Sequence, residues 1–372
     1  MPNQYPLIVK LTYILIFTVL LFYVLNIAAP ILSPLVLAII FAFMLYPLTR
    51  FLEKRKIPRV LATLIGVLIL ISILSLAVHL IFRNVQSLLA DLPALKAQAH
   101  LNIDRMAESF YNYFGVSIHE QKKFLKDLTG GLFQAGSKFS GSIFNATANT
   151  IFKMGILPVF IVYLLLYRDK VYDFIIVSVP KEKVLVTDKI INEIKRITPR
   201  YIGGIFTVVL ILCVLNSAGL FIIGVKYALL FGIISALFNF IPYFGTWIGA
   251  SIPITFALLT GESPHLALMV FLLFIVIQFT ENNILTPNIT GSYVSLNPFF
   301  TILIIIIGGM LWGVIGMFVV VPIMAMLKIT LDHSKNYKPL ALFIGIERSK
   351  AQKAQARKFS RLLNLKKRKI KE

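Results

Sequence analysis

The sequence predicts an all-α, polytopic transmembrane helix bundle, with broken or re-entrant helices in its C-terminal half and a small α-helical extramembrane insert. Three observations carry that prediction. The chain is 58% hydrophobic and only 14% charged, too little polar surface to face water on all sides. Its apolar runs approach the roughly 20 residues that a helix needs to cross hydrocarbon. Basic residues gather in three places, residues 50–59, residues 168–200 and the stretch after Lys328, as they do in segments kept on the cytoplasmic side of a membrane.

The elements follow in order. Runs over residues 11–29, 31–48 and 60–81 form an N-terminal three-helix membrane segment, residues 1–82. The first is too long for a signal-peptide core and lacks a small-residue cleavage site, so it is expected to stay attached as a span. By the distribution of basic residues, the uncharged joint between the first two runs faces outward, as does an extracytoplasmic helical insert over residues 83–150. The first part of the insert, residues 84–115, repeats apolar residues at helical spacing up to Gly115, which predicts a helix or helix pair with one sticky face. That face packs on its own neighbours, between subunits or on lipid. Its later part, residues 130–150, is rich in glycine and serine and reads as a loop approaching the fourth span.

Residues 151–332 form the membrane core, beginning with runs over residues 151–167 and 201–223. The next run, residues 227–260, would measure about 51 Å as one helix, too long for the hydrocarbon core and too short for two full crossings. Pro242 and Pro253 remove backbone donors while Gly245 and Gly249 permit close approach, so the break belongs near Pro242. The run over residues 265–287 carries a polar cluster. The last, residues 299–327, contains Gly308, Gly309, Gly313 and Gly316 and is long enough to kink or fold back; Gly245 with Gly249 and Gly309 with Gly313 match small-residue packing spacing. Residues 333–372 are a basic cytoplasmic tail, expected to lie as an amphipathic helix on the inner leaflet. With both termini cytoplasmic the crossings must be even in number. Either all eight runs cross, two of them bent, or six cross and the runs over residues 227–260 and 299–327 are re-entrant hairpins. In both arrangements the broken backbone faces protein or a solvated path.

Gln278, Glu281, Asn282, Asn283 and Thr286 stand inside or beside a stretch otherwise fit only for lipid. A carboxylate at bilayer depth costs several kcal/mol, and such residues mark substrate or ion pathways. Offsets of three, four and eight place Gln278, Glu281, Asn282 and Thr286 on one helical face. A protonatable carboxylate beside amide oxygens takes either a proton or a small hard cation, the minimum chemistry for an antiport step. The structural alternatives are an ion pair with a cation such as Lys226, or a place at the membrane interface near the helix end. Pro287 is expected to free carbonyls at the helix end, and Asn239 and Pro242, in the predicted break, join the candidate pathway residues.

Other classes of function find less support. The single cysteine, Cys213, excludes an intrachain disulfide framework and a cysteine metal cluster. A net charge of +21 is held mainly in the basic flanks and tail, where anionic lipid accounts for it without nucleic acid. Residues 131–138 echo a phosphate loop but lack the glycine-lysine order and a preceding strand, so no ATP is expected and ion gradients are the energy source. No enzyme motif and no metal or cofactor set is present. His79 with Arg83 reads as an interfacial anchor, Asn145 and Asn288 match a glycosylation pattern that recurs by chance, and phenylalanine and tyrosine read as lipid-facing.

Four strings, "YLLLYRDKVYDFI", "FNFIPYFGTWIGASIP", "QFTENNILTPNITGSYVSLNPFF" and "IGGMLWGVIGMFVVVPIMA", taken in order and at these spacings, resemble the signatures of the autoinducer-2 exporter family of bacterial permeases. The resemblance runs through nearly the whole chain. It implies a homo-oligomeric transporter of the bacterial inner membrane that exports a small polar signal or exchanges sodium or lithium for protons. The family's glutamate-asparagine motif falls on Glu281, Asn282 and Asn283, its proline on Pro287 and its glycine-rich close on residues 308–316. A channel without coupling and a membrane scaffold are the alternatives.

Overall fold

The computed structural model describes residues 6–114, 147–261, 263–290, 296–334 and 337–345. The glycine- and serine-rich end of the insert, the phosphate-loop echo, Asn145 and the tail beyond residue 345 lie outside the described residues. Within them every regular element is a helix, and the one extended pairing is an isolated bridge between Leu296 and Gly345. Six helices are long and apolar enough to cross a membrane.

The N-terminal helices are α1 (Leu7–Ile27), α2 (Ala29–Lys54) and α3 (Arg59–Ala90). Only Ala28 separates α1 from α2, which leaves no room for a connecting loop. The body of α1 is exposed along its length; Trp312 Nε1 donates to the Leu25 carbonyl near its end at 3.0 Å. α3 does not stop where the insert was expected to begin but continues to Ala90. There Asp91 turns the chain into α4 (Leu92–Phe114), the expected helix ending just before Gly115. Its apolar face is buried at helical spacing at Leu95, Ala99 and Ile103, with Ala99 and Ile103 packed on Leu259, so this part of the sticky face is covered within the chain itself.

α5 (Thr147–Leu166) packs with α2 and α3 around Ala38, Phe41, Leu45, Val67, Leu70, Ile161 and Leu165. In lipid such contacts hold by close packing and dispersion, since tails are as apolar as leucine. The short helix α6 (Arg168–Val177) follows, and its first residues tie the bundle together. Arg168 pairs with Glu53 of α2, and Arg59 of α3 reaches Asp169 at 2.7 Å. The hydrogen bond from Arg59 holds the Asp169 carboxyl below the ordinary carboxylate range. A carboxyl depressed in the folded state adds stability above its unfolded value, about 3.9, and loses it as pH falls further. For so exposed a pair the amount is about 0.5 kcal/mol. Asp169→Asn should therefore melt slightly lower than the parent at pH 7, with the difference shrinking as pH falls below about 3.9, read by thermal melting in detergent.

α7 (Val184–Ile223) is about 60 Å long, runs through a buried Pro199 and ends on Gly224, whose φ of +88° suits a left-handed cap. The next run breaks as expected around Pro242, into α8 (Ala228–Phe238) and α9 (Phe244–Thr260). These double back on each other. A Cβ on Gly249 would stand 2.7 Å from the Ser235 carbonyl oxygen, one on Gly245 would overlap the Phe238 carbonyl, and Ser235 Oγ donates to the Gly249 carbonyl at 2.5 Å. Two tyrosines, Tyr227 and Tyr243, open the two helices at φ of +62° and +67°, a conformation that costs a non-glycine residue about 1–3 kcal/mol.

α10 (Pro264–Thr280) starts on a Ser263 cap and continues through a π-helical turn (Glu281–Leu285) into a last turn (Thr286–Ile289). α11 (Pro298–Asp332) is also a hairpin: Trp312 and Gly313 leave helical backbone, Gly313 at φ of +60°, and a Cβ on Gly308 would meet the Gly316 carbonyl oxygen at 2.6 Å. The glycine contact across this hairpin is thus Gly308 with Gly316. Gly313 is the turn itself and Gly309 faces Met317, so Gly309 and Gly313 do not pack as a pair. Both awkward runs fold back on themselves, and one of them, α11, is among the six helices long and apolar enough to cross. A final helix, α12 (Lys338–Ile344), returns under the start of α11, where the Asn297 N–H donates to the Ile344 carbonyl at 2.8 Å.

Candidate functional site

Glu281 is 8% exposed and is the one buried ionisable residue among the described residues. Its burial follows from where α10 meets α7 and α8, in a core of Val208, Val209, Leu212, Ala236 and Ile277 one turn away. The carboxylate accepts a hydrogen bond from Asn239 Nδ2 at 2.7 Å. Asn239 sits at the C-terminal end of α8, in the turn of the first hairpin, and its own amide oxygen accepts from Thr246 Oγ1 of α9 at 3.2 Å. The hairpin tip therefore presents an oriented amide to a helix 42 residues further along the chain.

No Lys, Arg or His pairs with Glu281 among the described residues. Lys226 instead binds Asp91 at 2.6 Å, which removes the ion pair that a structural role would have used. A carboxylate out of water without a cationic partner is costly unless a proton or a bound cation compensates it. The amides of Asn239 and Gln278 supply only part of that compensation.

The other predicted residues distribute unevenly. Gln278 and Thr286 are half-buried, while Asn282, Asn283 and Pro287 are exposed on the chain's surface. Gln278 Nε2 donates to Asn282 Oδ1 at 3.1 Å and Asn283 Nδ2 to the Phe279 carbonyl at 2.9 Å, so each asparagine has one amide group bonded along the helix. The face expected from regular spacing forms in part: Gln278 stays beside Glu281 and Thr286 is half-buried, while Asn282 is exposed. Pro242 is half-buried and lines a small cleft of about 10 Å³ with Tyr201, Ile205, Phe240, Phe318 and Pro322. Gly245, Gly249, Gly308 and Gly316 close the two hairpins, and Gly313 turns the second.

Sequence reasoning missed two features. Four phenylalanines expected to face lipid instead meet inside: Phe206 lies 4.8 Å from Phe240, Phe240 5.2 Å from Phe318 and Phe41 5.8 Å from Phe206. They join α2, α7 and both hairpins beside the cleft. The string around Pro242, with an aromatic on each side of the break, was the available signal. The second is Thr246, whose hydroxyl orients Asn239; a threonine within an apolar stretch gives no sign of its distant partner.

Comparison with known proteins places this geometry. Residues 13–336 match the profile described as AI-2E family transporter. YrrI of Bacillus subtilis, by its name a candidate transport protein, is 27% identical over 89% of this chain and 97% of its own length. YueF of the same organism, named likewise, is 27% identical over 79% of this chain and 82% of its own. A candidate transport protein of Borreliella burgdorferi is 25% identical over 86% of each chain.

Proposed function

Since the chain belongs to the AI-2E family of transporters, we propose that it is a secondary carrier with Glu281 as its coupling group. It moves a small polar solute or a monovalent cation, as an exporter or a cation/proton antiporter. The observation that supports this most directly is the lone buried carboxylate held by an amide on a hairpin tip. Broken helices meeting near the bilayer midplane are where carriers place substrate and coupling ions. The carrier sits in the bacterial inner membrane with both basic termini in the cytoplasm and draws on an ion gradient rather than ATP. It works as a homo-oligomer, in which a neighbouring copy covers the exposed amides of Asn282 and Asn283 that lipid would leave poorly solvated.

Reconstituted vesicles under an imposed pH gradient, offered sodium, lithium or small polyhydroxylated solutes in turn, should accumulate one of them against its own gradient. Flux that only runs downhill, indifferent to the proton gradient, would make the protein an uncoupled pore instead. Asn239→Ala removes a hydrogen bond to a charged group, worth about 1.5–3 kcal/mol, or roughly tenfold or more in an equilibrium. Coupled flux should fall by about that factor, with half-saturation shifting as well as the maximum rate.

A further inference from the structure

The first hairpin delivers Asn239 to Glu281 from its tip, but its two feet lie at the other end of α8 and α9, about 25 Å away along α9. Both feet are gripped by one element. Asp91, the residue between α3 and α4, accepts from Tyr227 Oη at 2.5 Å and pairs with Lys226 Nζ at 2.6 Å, directly before α8 begins. Asn102 of α4, 8% exposed, donates both its amide hydrogens to carbonyls at the end of α9, Leu259 at 2.9 Å and Gly261 at 2.8 Å. The carbonyls at a helix end have no intrahelical partner, and a buried side-chain amide that satisfies two of them fixes that end firmly. Ala99 and Ile103 seal the contact against Leu259.

We propose that Asn102 and Asp91 are positioning residues for the Glu281 site: the α4 arm latches both feet of the hairpin, and Asn239 leaves the carboxylate only when the latch lets go. The proposal rests on the reading of Glu281 as the working group. A merely structural arm would stiffen the feet alone, whereas a latch controls the tip. The grips are independent in kind. One is an exposed ion pair with a tyrosine, the other a buried amide, so they can be removed separately. Tyr227 is held at φ of +62°, a strained backbone that Asp91 helps to keep in place.

Two measurements decide it. Hydrogen exchange on the full-length protein in detergent reads the amides at the tip, residues 238–246, in Asn102→Ala and Asp91→Ala. The latch predicts exchange there faster by about tenfold, with α2 unchanged. Acceleration confined to residues 257–261, with the tip as slow as in the parent, overturns it. Asn102→Gln, which can still reach a carbonyl, should restore part of the protection, and no rescue at the tip counts against positioning. The second test uses Ala99→Cys with Leu259→Cys in a Cys213→Ser background. Oxidising the pair should cut coupled flux about tenfold, with reductant restoring it, because a locked foot cannot release the tip. Equal flux in the oxidised and reduced protein sinks the latch. Should the unsubstituted protein carry no coupled flux at all, the transport reading fails, while the exchange experiment still judges the latch.

Discussion

Glu281→Gln should abolish coupled transport, lowering proton-driven flux in vesicles by about tenfold or more while the chain still folds and inserts. The substitution preserves size and can keep a hydrogen bond with the Asn239 amide, which lies 2.7 Å from the carboxylate. What it removes is the ability to bind and release a proton or a hard cation. Because the site lacks any cationic neighbour among the described residues, no other group stands ready to carry the charge. Neutralising a buried, unpaired carboxylate generally relieves a desolvation cost. The variant is therefore expected to melt no lower than the parent, and a gain of a degree or two would fit the same argument. Unchanged proton-coupled flux in Glu281→Gln would remove Glu281 from the mechanism; loss of flux together with loss of folding would be read against Asn239→Ala, which leaves the carboxylate in place.

Gly245→Ala should be among the most damaging single-carbon additions at the described glycines. The new Cβ would land on the Phe238 carbonyl group, which is backbone and cannot swing aside as a side chain would. Opening the hairpin to relieve the clash pulls Asn239 off Glu281, since both glycine and asparagine sit at the same tip. Overpacking a tight contact costs about 1–3 kcal/mol, and a collision with backbone belongs at the upper end or beyond. Thermal melting in detergent should fall by several degrees, and coupled flux should fall with it. Gly203→Ala is the control: its Cβ would meet nothing within 4 Å, and a helical glycine replaced by alanine should be neutral or slightly stabilising. If Gly245→Ala melts like Gly203→Ala, the hairpin does not close as described.

Much of the fold was legible because apolar runs and basic flanks obey constraints that lipid imposes locally. Lengths alone marked the two runs that could not cross as single helices, and Pro242 marked where the first would break. The second break was legible only in part: four glycines pointed to the region, but which of them turns and which packs depends on the opposite limb of the hairpin, and Gly308 finds Gly316 rather than the regular spacing partner. Glu281 stood out because charge at bilayer depth is costly wherever it occurs. Its partner did not, since the pairing of Asn239 with Glu281 is made by tertiary packing across 42 residues. Asn102 was hidden for the same reason. Nothing in an amphipathic arm announces that one of its amides caps a distant helix, and the left-handed tyrosines 227 and 243 occupy places where glycine would be expected.

The π turn in α10 has a further implication. Glu281 and Thr290 are both buried, Thr290 close against Gly204 of α7, although nine residues at 3.6 per turn would set them on opposite sides of a regular helix. Eight residues would bring both inward with ordinary geometry. The chain thus carries one residue more than its packing needs, and the wide turn takes up the excess beside the carboxylate. A molecule lacking Ile284 would keep both faces in phase and lose only that slack, which is where a helix would flex if the acid had to change partners.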